Sequence, residues 1–92
     1  MRQNTGPVFT KLRELIRREL KRRGHFPREV IVTAAGNNVV TIEVLLLNGK
    51  QASLREKVQQ IQSYYEQSRL NAVVGPLVSR LAAELRTSKG RY

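Results

Sequence analysis

Seven basic side chains lie between residues 11 and 23, and they are the residues of this sequence best able to bind a charged partner. Only Glu14 and Glu19 interrupt them. The chain has a formal net charge of +10 over 92 residues. Because so uneven a charge makes a folded protein repel itself, it is typical of proteins with an anionic partner. The candidate binding residues are Lys11, Arg13, Arg17, Arg18, Lys21, Arg22 and Arg23.

A helix is predicted to hold these side chains on one surface. Apolar residues recur every three or four positions from Val8 to Leu20, which gives a single apolar stripe. At about 100° per residue, most of the basic side chains fall on the opposite side. Pro7 suits a first helical turn, and Gly24 suits a C-terminal cap. We therefore predict a helix that begins near Pro7 and ends at Gly24.

The two acidic residues of this helix have spacings that suit ion pairs with later arginines. Glu14 stands four residues before Arg18, and Glu19 stands four residues before Arg23. Glu19 also falls near the middle of the apolar stripe. Either it reaches Arg23 or solvent from the end of the helix, or it forms a buried ion pair that fixes docking or dimer register. We favour the first explanation, because a buried charge must be paired.

Two β-strands are predicted after the helix, from Glu29 to Ala35 and from Val39 to Leu47. Both are rich in β-branched residues, and Gly and Asn between them suit a tight turn. We therefore expect an antiparallel hairpin. Alternation along the second strand predicts a core face. Its members are Val40, Ile42, Val44 and Leu46.

The other face of the second strand carries Leu45 and Leu47, which would leave an apolar patch unless something covers them. They are the candidate interface. A domain of this size buries only about 60 to 65% of its unfolded surface and is often marginally stable alone. The small core and the two-sided apolar strand together favour a homodimer.

The second half of the chain is predicted to be mainly helical. Ser53 followed by Glu56 matches a capping box, which predicts the start of the second helix. Leu70 to Val74 suits either a continuation of that helix or a short third strand. Pro76 is suited to open a third helix. The predicted order is therefore α-β-β-α-(β)-α.

These elements predict one small α+β domain, in which a hairpin, with or without a short third strand, packs against two or three amphipathic helices. The domain is expected to span residues 7–87. Residues 1–6 are expected to form a flexible N-terminus, and residues 88–92 a short basic tail.

Tyr64 and Tyr65 lie on the predicted second helix. Tyr65 follows Ile61 at helical spacing, which predicts a core position, while Tyr64 is placed on the flank near Arg69 or Gln60. Stacking of a tyrosine on an exposed base is the less favoured alternative.

Nothing in the sequence indicates catalysis, a metal site or a cofactor. The chain contains no Cys and no Asp, and His25 is its single histidine. With so few of the usual ligand types, a metal site built by this protein is not expected. No serine has a base and an acid at a spacing that suggests nucleophilic catalysis. Phosphate-binding glycine signatures are also missing. We therefore expect no catalytic residues, no metal and no cofactor.

The function predicted first is a non-enzymatic module that binds nucleic acid, either DNA or RNA, through phosphate contacts. The alternative is a protein-interaction or assembly factor, in which the apolar strand face binds a partner and the basic helix meets an acidic protein surface. Peripheral binding to an anionic membrane ranks last. No signal peptide or transmembrane segment is evident, so a cytoplasmic location is expected.

Overall fold

Three helices and three strands make up the part of the chain that the computed structural model describes, which is residues 6–34, 36 and 38–87. The flexible segment predicted for residues 1–6 and the tail predicted for residues 88–92 lie outside it, except for Gly6, which begins the first helix. The elements are α1 (Gly6–Arg22), β1 (Pro27–Ala34), β2 (Val39–Leu46), β3 (Gln51–Lys57), α2 (Val58–Glu66) and α3 (Leu70–Thr87).

The strands form one antiparallel sheet in the order β1-β2-β3. Ile42 at its centre lies opposite Val32 of β1 and Leu54 of β3. On the inward face of the sheet, α1 packs against β1, α3 packs against β3, and the two helices contact each other. The predicted α+β class is confirmed. So is the core face of the second strand, whose members are Val40, Ile42, Val44 and Leu46.

The third strand lies where a helix was predicted. Ser53 and Glu56 match a capping box, but both belong to β3, so the predicted helix start is wrong. Helix α2 begins only at Val58, and Lys57 before it makes no side-chain cap. The observed order is therefore α-β-β-β-α-α rather than α-β-β-α-(β)-α.

The turn before β3 helps to explain why Gln51–Lys57 forms an extended strand rather than a helix. Gly49 has a φ of 90°, a conformation that favours glycine. The Asn48 side-chain oxygen accepts a hydrogen bond of 3.0 Å from the Lys50 backbone N–H, which stabilises a tight turn. The chain therefore returns along β2. Because successive side chains of a strand point to opposite faces, Ala52 and Leu54, which are two residues apart, both point toward the helices.

The segment from Leu70 to Val74, which suited either helix or strand, is helical and forms the start of α3. Pro76 lies inside this helix, so the prediction that it opens a helix is wrong. The break between α2 and α3 comes earlier in the chain, at Ser68, whose φ of 56° is a left-handed conformation that ends the helical path of α2. The Arg69 N–H bonds the Tyr64 carbonyl over 2.8 Å and closes the end of α2.

The core joins α1, the sheet and α3 in one apolar cluster. Leu12 and Ile16 of α1, Ile42 of β2 and Leu81 of α3 are fully buried within it. No polar or charged residue is buried in the described ranges. Because the apolar stripe of α1 is used in this core, the basic side of the helix is fixed on the surface of the domain.

Candidate functional site

Five of the seven predicted binding residues lie on the surface of α1, with the exposed Glu14 among them, and we call these five the basic face. Four are exposed and Arg17 is half-buried. None forms an ion pair with an acidic side chain in the part of the chain that the structure describes. At 1.5 Å per residue, they cover about 15 Å of the helix axis. The basic face comprises Lys11, Arg13, Arg17, Arg18 and Lys21.

Glu19 holds the other two predicted binding residues, Arg22 and Arg23. The Nε of Arg22 donates to Oε1 of Glu19 over 2.9 Å, and its Nη2 donates to Oε2. The Nε of Arg23 donates to Oε2 over 2.7 Å. The predicted pairing of Glu19 with Arg23 is therefore confirmed. No ion pair joins Glu14 to Arg18 among the described residues.

Arg23 also ties α1 to α3. Its Nη1 donates to the Ser79 hydroxyl over 3.0 Å, and its Nη2 donates to the Gly75 carbonyl over 3.3 Å. With Glu19, these contacts occupy three nitrogens of the Arg23 guanidinium. Arg23 therefore holds the end of α1 against α3, and it is less available to a ligand than the basic face.

The two arginines hold the pKa of Glu19 at about 2, down from 4.5, because hydrogen bonds from Arg22 and then Arg23 stabilise its carboxylate. The Glu19 side chain is only 18% exposed. Since the native carboxylate binds protons more weakly than the unfolded one, this interaction stabilises the fold above pH 4.5 and is lost as the pH falls toward 2.

We expect Glu19→Gln to lower the free energy of unfolding at neutral pH, because it removes the charge that both arginines bind. The difference from wild type should shrink as the pH falls below 4.5 and disappear near 2. Denaturant titrations across this range measure it. Glu14→Gln is the matched control, since Glu14 is exposed and has no ion pair in the described ranges. A pH-independent difference for Glu19→Gln would contradict the assignment.

A groove runs between α1 and the α2–α3 segment, and we call it the α1–α3 groove. Its wider end has a volume of about 900 Å³ and its narrower end about 220 Å³. The two ends are separate pockets that share Leu15 and Asn71 in their linings, so they lie next to each other. The wider end is also lined by Lys11, Glu14, Tyr65 and Glu66, and the narrower end by Arg18, Glu19 and Arg22.

Tyr64 lies beside Gln60 and Arg69, as predicted, but the two tyrosines of α2 differ from the prediction in which of them packs against the core. Tyr65 is 38% exposed and lines the α1–α3 groove, whereas Tyr64 is half-buried and packs against the core. The residues of α2 that pack in or against the core are Val58, Ile61 and Tyr64, which are spaced three residues apart. The prediction that Tyr65 is a core residue is therefore wrong.

The sheet surface opposite the helices, which we call the open face, contains no buried residue along β2. Leu45 is half-buried there, and Leu47, just after β2, is 72% exposed. Phe26 is 57% exposed, and its carbonyl accepts a hydrogen bond of 3.0 Å from the Leu47 N–H. Phe26 was not among the residues predicted from the sequence, although its place before β1 puts it level with Leu47 in an antiparallel hairpin.

Charges divide the open face into two halves. Glu29 and Glu43 lie in the half nearer the β2–β3 turn, where Glu29 is opposite Leu45. Arg55 and Lys57 lie in the other half on β3. The face therefore has an acidic end and a basic end.

Comparison with known proteins returned no relative: no family model, curated protein or solved structure matches the chain. In residues 6–34, 36 and 38–87, no three His, Asp or Glu side chains gather in a way that could hold a metal ion. No helix in the same ranges combines the length and apolar character needed to span a bilayer. The function has to be argued from the geometry and charge of the chain's own surfaces.

Proposed function

We propose that this protein is a small non-enzymatic module that binds nucleic acid, DNA or RNA, through the basic face of α1. The observation that carries the proposal is the set of five cations without an acidic partner in the described ranges, on a helix whose apolar side is buried. The cations are therefore held on a rigid surface. A disordered basic arm would lose conformational entropy when it became ordered on binding, whereas this face is already ordered.

Phosphate contacts explain how such a face would bind. Each Lys or Arg placed near a phosphate releases condensed counterions, which gives a favourable free energy that falls as salt rises. Such contacts fix the position of the ligand but do not read its sequence. We therefore propose binding with little sequence specificity.

The salt dependence of the affinity tests this proposal. If the five cations of the basic face each neutralise one phosphate, a plot of log K against log salt should have a slope of about −4.5 for duplex DNA and about −3.5 for a single strand. Fluorescence anisotropy over a range of salt concentrations measures both slopes. An oligonucleotide with an uncharged backbone is the control and should not bind. A slope near zero would contradict phosphate binding by this face.

The open face favours a second candidate function, which is assembly with another copy of the chain. Leu47 and Phe26 are the two most exposed large apolar residues in the described ranges, and they are held side by side. Half-buried Leu45 extends the same apolar patch. Contiguous exposed apolar surface of this kind marks interaction sites.

Charge complementarity supports a second copy as the occupant. A two-fold axis that lies between two open faces and runs across the strands would bring the acidic end of one copy against the basic end of the other. Because such an axis keeps β3 of one copy over β3 of the other, Glu43 on the neighbouring strand β2 would then approach Arg55 of the second copy. An axis along the strands would place like charges together, which is unfavourable.

A further inference from the structure

We infer that the α1–α3 groove binds an unpaired nucleotide, with its base at the Tyr65 end and its phosphate at the end lined by Arg18 and Arg22. This inference rests on the proposed function and names the class of nucleic acid, which is single-stranded. Its basis is that an exposed aromatic ring lines one of two adjoining pockets and arginines line the other.

The wider end has the size and the surface that a base requires. Its volume of about 900 Å³ falls within the range of small-molecule sites. Tyr65 offers a partly exposed aromatic ring, and Leu15 adds apolar surface. Stacking on an aromatic ring accepts any base, since every base has a π face. The groove would therefore select for unpaired bases rather than for a sequence.

The polar residues of the wider end fix which part of the nucleotide lies there. The Glu14 and Glu66 carboxylates can accept hydrogen bonds from exocyclic amino groups of bases, and the Asn71 amide can both donate and accept. The same two carboxylates repel phosphate and outnumber Lys11, the single cation that lines this end. A nucleotide is consequently bound with its base, not its phosphate, at this end.

The narrower end suits the phosphate. Arg18 is exposed there and has no acidic partner in the described part of the chain. Arg22 uses Nε and Nη2 to bind Glu19, but its side chain remains 70% exposed, and Nη1 makes no hydrogen bond to any described residue. Glu19 thus orients the Arg22 guanidinium while leaving N–H donors for a phosphate oxygen.

This arrangement predicts a preference for single strands over duplexes. Bases in a duplex are stacked and paired, so one of them would have to be flipped out before it could reach Tyr65. A duplex would therefore contact only the basic face of α1, whereas a single strand would contact both that face and the groove.

Fluorescence anisotropy with a labelled single strand and with its duplex, at the same salt concentration, tests the inference. We expect Tyr65→Ala to weaken single-strand binding by about 5- to 100-fold and to leave duplex binding unchanged. Tyr65→Phe keeps the aromatic ring and should retain the affinity. Gln59→Ala is the matched control, because it shortens an exposed side chain of α2 that lines neither end of the groove. Thermal unfolding checks that each variant folds.

Tyrosine fluorescence gives a second readout that does not depend on the alanine variant. Stacking on a base should quench Tyr65, so wild type should lose more emission than Tyr65→Phe on binding a single strand. Unchanged single-strand affinity in Tyr65→Ala, together with equal quenching in Tyr65→Phe, would overturn the groove site and leave the proposed function standing. Failure of wild type to bind either oligonucleotide at low salt would overturn the proposed function itself.

Discussion

Replacing Arg17, Arg18 and Lys21 together by glutamate is expected to weaken nucleic acid binding by at least about 100-fold at low salt. Each substitution removes a cation from the basic face of α1 and places a carboxylate where a phosphate would lie. The steepness of log K against log salt should decrease by about 2.7 for duplex DNA and by about 2.1 for a single strand, since three phosphate contacts are lost. Anisotropy titrations of the variant and wild type measure both quantities.

The control for this variant must lower the net charge by the same amount through substitutions at residues outside α1. Arg28→Glu, Arg69→Glu and Arg86→Glu alter three exposed cations on β1, between α2 and α3, and on α3, and none of them belongs to the basic face or to the proposed charge pairs of the open face. We expect this control to lose much less affinity, because long-range attraction between exposed charges is screened by salt. An equal loss in both variants would show that net charge, rather than the basic face, controls binding.

Both triple variants should fold, which keeps the comparison interpretable. None of the three α1 cations forms an ion pair in the described ranges, and the apolar stripe of the helix is untouched. Surface substitutions of this kind usually change the free energy of unfolding by less than about 0.5 kcal/mol each. Circular dichroism and denaturant titration establish this before binding is compared.

The parts of the fold that local signals determine could be predicted from the sequence. Helix α1 begins one residue from its predicted start, because its apolar spacing lies within a single element. Gly24 caps it as predicted, with a φ of 89° and a hydrogen bond of 2.8 Å from the His25 N–H to the Leu20 carbonyl. The core face of β2 also followed from simple alternation.

The features that local signals missed depend on contacts between distant parts of the chain. Glu56 forms an ion pair with Arg80 of α3, and the Ser53 N–H donates to Glu84 over 3.1 Å. These long-range contacts, with pairing to β2, hold β3 extended despite its capping-box sequence.

The α1–α3 groove also depends on contacts between distant parts of the chain. It exists only because α1 packs against α3, and Tyr65 of α2 then faces it. No spacing in the sequence reveals that Tyr65 and Lys11 line one groove. The basic residues of the candidate site were therefore predictable as a helix face, whereas the aromatic part of the site required the tertiary structure.

The two proposed surfaces lie on opposite sides of the sheet. Helix α1 packs on the inward face, and the apolar patch of Leu45, Leu47 and Phe26 belongs to the open face. Two copies joined through their open faces would leave both basic faces exposed. Such a dimer could bind one long strand at two places, which raises the overall affinity through effective concentration.

Leu45→Lys combined with Leu47→Lys is expected to convert this dimer into a monomer. Wild type at high protein concentration should have about twice the 10.5 kDa mass of one chain, and the variant should have the mass of one chain. The two ammonium groups would be buried between apolar surfaces on association, which is strongly unfavourable. Multi-angle light scattering or sedimentation equilibrium measures the mass.

The separate chain should tolerate both substitutions, because Leu47 is exposed and the residue opposite Leu45 is Glu29, which would pair with the introduced ammonium. Ala83→Lys is the control, since it adds a cation at an exposed position of α3 away from the open face and should leave the dimer intact. A wild-type mass of one chain at every concentration, or a dimer that survives the double substitution, would exclude the open face as the interface. Binding of nucleic acid by the basic face would be unaffected by that result, since each copy carries its own α1.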